Sequence, residues 1–186
     1  MANVAIVFHS GYGHTKAVAE SVQKGAASVA GSNVTLVSVT DAEQHWDTLA
    51  KADAIIFGAP TYMGSVSADM KKFMEASSKV WFTQGWKDKI AAGFTNSAGL
   101  NGDKARTIDN LFTLAMQHAM IWVSQGLMPA NTKASTRADL NNLVSYAGAI
   151  AQSPSDAGAQ EMAAGDLETA KVFGQRVADI AGRFKR

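Results

Sequence analysis

The sequence predicts an α/β domain in which a parallel β-sheet is covered by helices on both faces. Three observations predict it. Short apolar runs alternate with longer stretches whose apolar residues recur at helical spacing, the pattern of repeated βαβ units. The loops that follow three of those runs are small, polar and rich in glycine. The 186 residues are 47 % hydrophobic and 18 % charged, a globular balance that fits one compact domain with a sizeable core, so residues 1–186 are read as a single domain.

Val4–Phe8 reads as the first strand, followed by a helix that aligns Val18, Val22, Ala26 and Val29 on one face. The second strand, Val34–Val39, is interrupted by Thr35 and Ser38, as an edge strand would be. Thr40 and Glu43 have the spacing of a capping box ahead of a short helix at Trp46–Ala50. Ala54–Phe57 is the third strand, and Val66, Met70, Phe73 and Met74 make the next helix face. Ile90–Phe94 is the fourth, with Ile108, Leu111, Phe112, Ala115 and Ala119 behind it, and Met120–Val123 is the fifth. Residues 125–164 are too many for a plain connection. They hold either a helix using Leu140, Leu143, Val144 and Ala147, or an interruption of the last strand followed by its second half. A final helix, entered after Gly165 and Asp166, carries Phe173, Val177, Ile180 and Phe184.

Composition excludes several classes of function. Seventeen Lys and Arg face sixteen Asp and Glu, a formal charge of +1, so no long-range field recruits nucleic acid or an anionic membrane, and neither is expected as a partner. Cysteine is absent, which removes disulfides, thiolate nucleophiles and Cys-ligated metals. Met1 runs straight into an apolar strand without a basic leader, and no apolar run approaches the roughly 18 residues of a membrane helix, so a cytoplasmic location is expected. The histidines at 9, 14, 45 and 118 lack metal-ligand spacing, and no metal is expected. Paired catalytic carboxylates and a Ser-His-Asp arrangement are not apparent. His9 and Ser10 stand where a phospho-acceptor domain would place an acidic pocket.

Parallel sheets collect ligands outside the carboxyl ends of their strands. The first loop there is Ser10-Gly11-Tyr12-Gly13-His14-Thr15, opening directly into a helix. Hydroxyl donors at Ser10 and Thr15, glycines that permit close approach, and the unpaired N–H groups of a helix start together suit a phosphate. Lys16 reads as a solvated surface residue, and His14 as a local donor or loop residue rather than a base. A dinucleotide fingerprint would need glycine at position 16, and a Walker Gly-Lys-Ser/Thr is missing.

The loop Ser10–Thr15 resembles the phosphate loop of flavodoxin-like proteins. Gly58-Ala59-Pro60-Thr61-Tyr62-Met63-Gly64 resembles the next loop of FMN-dependent NAD(P)H:quinone oxidoreductases of the tryptophan-repressor-binding-protein (WrbA) type. The likeness continues through Met70, Phe73, Trp81, Lys89 and Ser97 to Gln117-His118-Ala119-Met120. It implies a flavodoxin-like, doubly wound sheet of five parallel strands in the order 2-1-3-4-5. It implies bound FMN, its phosphate on Ser10, Gly11, Tyr12, Gly13, His14 and Thr15. Pro60, Thr61, Tyr62, Met63 and Gly64 would run along the flavin ring, with main-chain groups near N5 and the pyrimidine edge. Ser97, Ala98, Gly99, Leu100, Asn101 and Gly102 would wrap the other side of the ring and the ribityl chain.

The substrate side is implied less uniquely. Trp81 matches a residue that lines the substrate pocket, its own or a neighbouring subunit's; equally it reads as a packing anchor. Either Gln117 or His118 takes the place of a family histidine that faces the flavin. Tyr12 and Tyr62 are placed to shape the pocket. Leu100 departs from a more glycine-rich family loop, and Ser145-Tyr146-Ala147-Gly148-Ala149 resembles a small-residue stretch near the family's active site. The resemblance also implies a homo-oligomer, a tetramer being the form to expect, with sites near subunit boundaries.

Flavin carries such chemistry itself, so no catalytic side chain is required. The expected activity is two-electron reduction of a quinone by NAD(P)H, the two substrates using one exposed flavin face in turn in a ping-pong mechanism. The alternative is a flavodoxin-type electron carrier that docks protein partners. Such carriers are expected to be markedly acidic, whereas this chain is nearly neutral. A flavin-binding accessory or regulatory protein with negligible turnover is the third reading.

Overall fold

A computed structural model describes residues 2–184. Its sheet starts with β1 (Asn3–Phe8), and α1 (His14–Ala27) leads to β2 (Asn33–Ser38). A 3-10 segment (Val39–Gln44) and α2 (Trp46–Lys51) precede β3 (Ala54–Tyr62), which turns back into β4 (Ser65–Val66). Then come α3 (Ala68–Ala76), α4 (Ser78–Phe82), β5 (Ile90–Ser97) and α5 (Lys104–Gln117). Two short strands, β6 (Ile121–Trp122) and β7 (Ala149–Gln152), and the long α6 (Ala164–Phe184) complete the fold.

The main sheet is parallel in the order β2-β1-β3-β5-β6. Counting only the strands expected from sequence, that is 2-1-3-4-5. β2 pairs with β1 alone and is the edge its broken pattern predicts, whereas β1 and β3 are buried on both faces. Alternate residues feed two cores. Ile6, Ile56 and Phe94 pack under α1 and α6, while Val7, Ile55 and Phe57 pack under α2, α3 and α5 with the fully buried Trp86.

The fifth place in the sheet is shared. β6 pairs with the start of β5 through Ile90↔Ile121 and Ala91↔Trp122. β7 pairs with its end, from Phe94↔Ala149 to Ser97↔Gln152. This is the interrupted strand; the alternative helix through Leu140 and Leu143 does not form. Asn141 and Val144 are left-handed, at φ 52° and 56°, which no α-helix accommodates. The chain re-enters the sheet at Gly148, where a β-carbon would fall 2.3 Å from the Gly93 carbonyl oxygen.

Three local expectations are corrected. Val66 belongs to β4, not to a helix face; α3 starts after Ser67, whose hydroxyl accepts from the Met70 N–H. Thr40 does not cap α2, because its hydroxyl bonds Ser38 at 2.7 Å and His45 occupies the N-cap without a side-chain bond. On α5 the buried face runs through Leu114, not Phe112 or Ala119. Phe112 instead meets Trp122 edge to face, and Ala119 leaves the helix at φ 55°. Among the described residues no helix is long and apolar enough to cross a membrane.

Candidate functional site

The strand order reverses between β1 and β3, and the loops leaving these strands diverge there, as at the ligand crevice of open α/β sheets. A cleft of about 650 Å³ opens at that rim. Tyr12, His14 and Thr15 line it from the first loop, Pro60, Thr61 and Tyr62 from β3, and Asn96, Ser97 and Ala98 from β5. Ser153, Pro154, Ser155 and Ala157, after β7, close it from a fourth side.

The first loop is held by its own donors. Ser10 Oγ accepts from the N–H groups of Gly13 and Lys16, both at 3.1 Å, and so organises the first turn of α1. Gly13 stands at φ 89°, a left-handed conformation that aims the chain into the helix. Gly11 lets the loop lie close to Tyr62: a β-carbon there would fall 2.8 Å from the Tyr62 hydroxyl oxygen and push that side chain aside. Tyr12 and Tyr62 meet edge to face, with centroids 6.4 Å apart, at the mouth of the cleft. Burial raises the Tyr62 phenol above its ordinary pKa, Tyr12 adds to this, and the Gly11 backbone opposes it. Met63 and Gly64, at φ 48° and 79°, form the two-residue turn of the β3–β4 hairpin, and Met63 projects wholly into solvent.

Buried polar chains tie the loops together. Thr15 Oγ1 donates to Asn96 Oδ1 at 2.5 Å, and Asn96 Nδ2 donates to Ser153 Oγ at 2.8 Å. The hydroxyl hydrogen of Thr15 is thus given to Asn96, not offered to a ligand as the sequence suggested. Thr61, Thr95 and Thr107 share a hydroxyl cluster, with O···O distances of 2.9 and 2.7 Å from Thr61. His14 Nε2 bonds the Ala157 carbonyl oxygen at 2.9 Å, a long-range tie between the first loop and the wall after β7. Lys16 is solvated and lies 3.9 Å from Glu20.

Of the third loop, only Ser97 and Ala98 line the cleft. Asn101 turns away, its side chain donating to the carbonyls of Leu143 and Val144 at 2.7 and 3.1 Å. Gly99, Leu100 and Gly102 are exposed. Beneath this loop Lys104 is completely buried, and its ammonium donates to Ser97 Oγ at 2.7 Å and to the carbonyl oxygens of Gly99 and Leu100. Burial depresses its pKa to about 8; Asp166 pulls it up and Arg137 pushes it down.

Trp81, Gln117 and His118 do not reach this cleft within one chain. They share a separate groove between α3–α4 and α5, which has no lining residue in common with it. The reason is length: α5 carries 14 residues, some 20 Å, away from the rim before Gln117 is reached. Gln117 is exposed there, whereas His118 is buried against Trp86, with ring centroids 4.3 Å apart. Ser77 Oγ donates to Met74 O at 2.7 Å, so it accepts from His118 Nε2 at 2.9 Å. The other ring nitrogen is buried without a partner, and burial lowers the His118 pKa to about 4. Lys89 lies nearer the opposite rim, donating to the Ala50 and Ala52 carbonyls at the end of α2.

Asn96, Lys104 and Ser153–Ala157 were not singled out from sequence. Asn96 lies immediately before the Ser97–Gly102 loop. The wall after β7 had only its small polar composition to mark it, and a lysine at a helix start ordinarily reads as solvated.

Comparison with known proteins adds family context. A sequence profile described as a flavodoxin domain matches residues 5–171. The chain is 52 % identical over 184 residues to a Pseudomonas aeruginosa protein named flavodoxin FldP, covering 97 % of each. It is 31 % identical over 207 residues to an NAD(P)H dehydrogenase (quinone) of Archaeoglobus fulgidus, covering 99 % of this chain and 100 % of that one. The crystal structure of a flavodoxin, WrbA-like protein from Agrobacterium tumefaciens superposes with a TM-score of 0.79, at 45 % identity and full coverage of both chains.

Proposed function

The chain belongs to the flavodoxin domain family, and from that premise we propose that it binds FMN in the rim cleft and catalyses two-electron reduction of a quinone by NAD(P)H. The observation that supports this reading best is the cleft itself. Three loops converge on the β1–β3 divergence, with a left-handed glycine aiming a helix start at one end and room for a planar ring at the other.

The residues present fit the cofactor. A phosphate suits the His14 and Thr15 N–H groups at the start of α1, where no intrahelical acceptor exists and the helix dipole is positive, the Lys16 N–H being held by Ser10 Oγ. Gly11 leaves the space that a side chain would fill. Bound FMN would supply the hydride-accepting and electron-donating chemistry that the side chains lack. The protein's own work is to hold and to select. Pro60–Tyr62 and Ser97–Ala98 form facing walls, Asn96 locks the phosphate loop to the wall after β7, and the Tyr12–Tyr62 pair borders the entrance. With one cleft serving both substrates, ping-pong kinetics are expected.

His118 is buried and would contribute to neither this chain's cleft nor another copy's. Trp81 and Gln117, both exposed, lie too far along the molecule to touch this chain's cleft, so they would contribute to a substrate pocket only from another copy. A homo-oligomer, tetrameric in form, is the assembly in which they would do so.

One observation favours a second reading. A relative at 52 % identity is named a flavodoxin, whereas those named quinone dehydrogenases stand near 30 %. An electron carrier would be reduced by a partner reductase and would turn over no NAD(P)H alone. The separating experiment mixes FMN-loaded protein with NAD(P)H and a benzoquinone, without added reductase. Sustained consumption of NAD(P)H supports the enzyme. Turnover that appears only when a reductase is added overturns it in favour of the carrier.

A further inference from the structure

Lys104 is fully buried, yet each of its three ammonium hydrogens has an acceptor: Ser97 Oγ, the Gly99 carbonyl and the Leu100 carbonyl. That set of partners is built for the charged form. A buried lysine whose only task was packing would be replaced at little cost by an apolar side chain, because taking an ammonium out of water is expensive. Other charges act on it from two sides. Asp166, in the first turn of α6, favours its charge, and Arg137, bound to Asp166 at 2.5 Å, opposes it. Lys104, Arg137 and Asp166 together carry one net positive charge behind the cleft wall.

Ser97 is the link to the cleft, which it lines. Because Ser97 Oγ accepts from an ammonium at 2.7 Å, its own hydroxyl hydrogen is free to be donated, and the adjacent cation polarises it. The wall therefore presents a charge-assisted donor, and such a donor binds an anionic acceptor better than a neutral one.

We propose that Lys104, acting through the Ser97 hydroxyl, is a positioning residue that raises this cleft's affinity for reduced flavin relative to oxidised flavin. The inference rests on FMN occupying the cleft, as proposed above. Two electrons and one proton, delivered together as a hydride from NAD(P)H, add one negative charge to the ring system and leave NAD(P)⁺ behind. A donor backed by a buried cation stabilises that added charge, since the field in a partly buried site is only weakly screened.

The test measures the two-electron potential of bound FMN by equilibration with a reference dye under chemical reduction, so that NAD(P)H activity plays no part. Lys104→Met, Lys104→Arg and Ser97→Ala are compared with the unmodified protein, and oxidised FMN affinity is read separately by fluorescence titration. Lys104→Met is expected to weaken binding of reduced relative to oxidised FMN by about tenfold, a downward shift of about 30 mV for two electrons. Ser97→Ala moves in the same direction, and Lys104→Arg restores most of the preference. An unchanged ratio in Lys104→Met and Ser97→Ala overturns the proposal. If Lys104→Met does not fold, Ser97→Ala decides alone, since it leaves the lysine buried with two carbonyl acceptors. Failure of NAD(P)H to reduce the unmodified protein contradicts the enzymatic reading without touching this result, and failure to bind FMN at all contradicts both.

Discussion

Gly13 sets the left-handed turn that carries β1 into α1, the loop proposed above to hold a phosphate. At φ 89° a β-carbon meets no neighbouring atom, so the penalty for a side chain comes from backbone strain alone. Gly13→Ala is expected to lower unfolding stability by about 1–2 kcal/mol and FMN affinity by about tenfold, read by urea titration and by flavin fluorescence. His118 offers a second, independent test. It is held neutral, with a folded pKa near 4 against an ordinary value of 6.5, so below about pH 6.5 the unfolded chain binds a proton that the folded chain refuses. Stability contributed by the neutral ring is therefore present above pH 6.5 and is lost as pH falls toward 4, on the order of 2 kcal/mol. Replacing it by phenylalanine (His118→Phe) should flatten that part of the pH–stability curve. Ser77 loses the bond it accepts from His118 Nε2, but its own hydrogen stays satisfied at Met74. A curve of unchanged slope would mean that another group titrates there.

Among the elements, the divided fifth strand is the feature on which the site most depends. β7 brings Ser153–Ala157 to the rim, and the segment between β6 and β7 is fastened to α6 by Arg137 and Asp166. Asp166 is almost completely buried and accepts also from the Gln152 N–H at 2.8 Å. Arg137→Met leaves that carboxylate with too few donors and should cost about 3 kcal/mol in urea unfolding. The exposed Lys171–Glu168 pair is expected to matter by less than about 1 kcal/mol. Strong local periodicity made α1, β1, β3 and β5 legible in the sequence, because buried strands and amphipathic helices write their burial into neighbouring residues. The choice between a helix and a strand remnant in 125–164 was not legible, since left-handed backbone at Asn141 and Val144 leaves no trace in apolar spacing. The glycine-rich turn into α1 could be read from Ser10, Gly11 and Gly13. Asn96, Ser153 and Lys104 could not, because a long-range hydrogen bond between polar residues, or the burial of a lysine, has no signature along the chain.

Taken whole, the molecule is nearly uncharged, at +1 with a pI of about 8.0, and Tyr12, Tyr62, Met63 and Leu100 are exposed on the loops at the rim. A protein-docking carrier steered by charge would change its rate steeply with salt; a cleft receiving small molecules would not. Between about 50 and 500 mM salt, quinone reduction should therefore vary by less than about threefold. A steep fall would favour the carrier. The account as a whole turns on the rim cleft holding FMN, and calorimetric titration of the purified protein with FMN tests that most directly. It predicts one site per chain with a Kd in the micromolar range or tighter, corresponding to at least about 8 kcal/mol, together with a rise in melting temperature. No heat and no melting shift in excess FMN would contradict it.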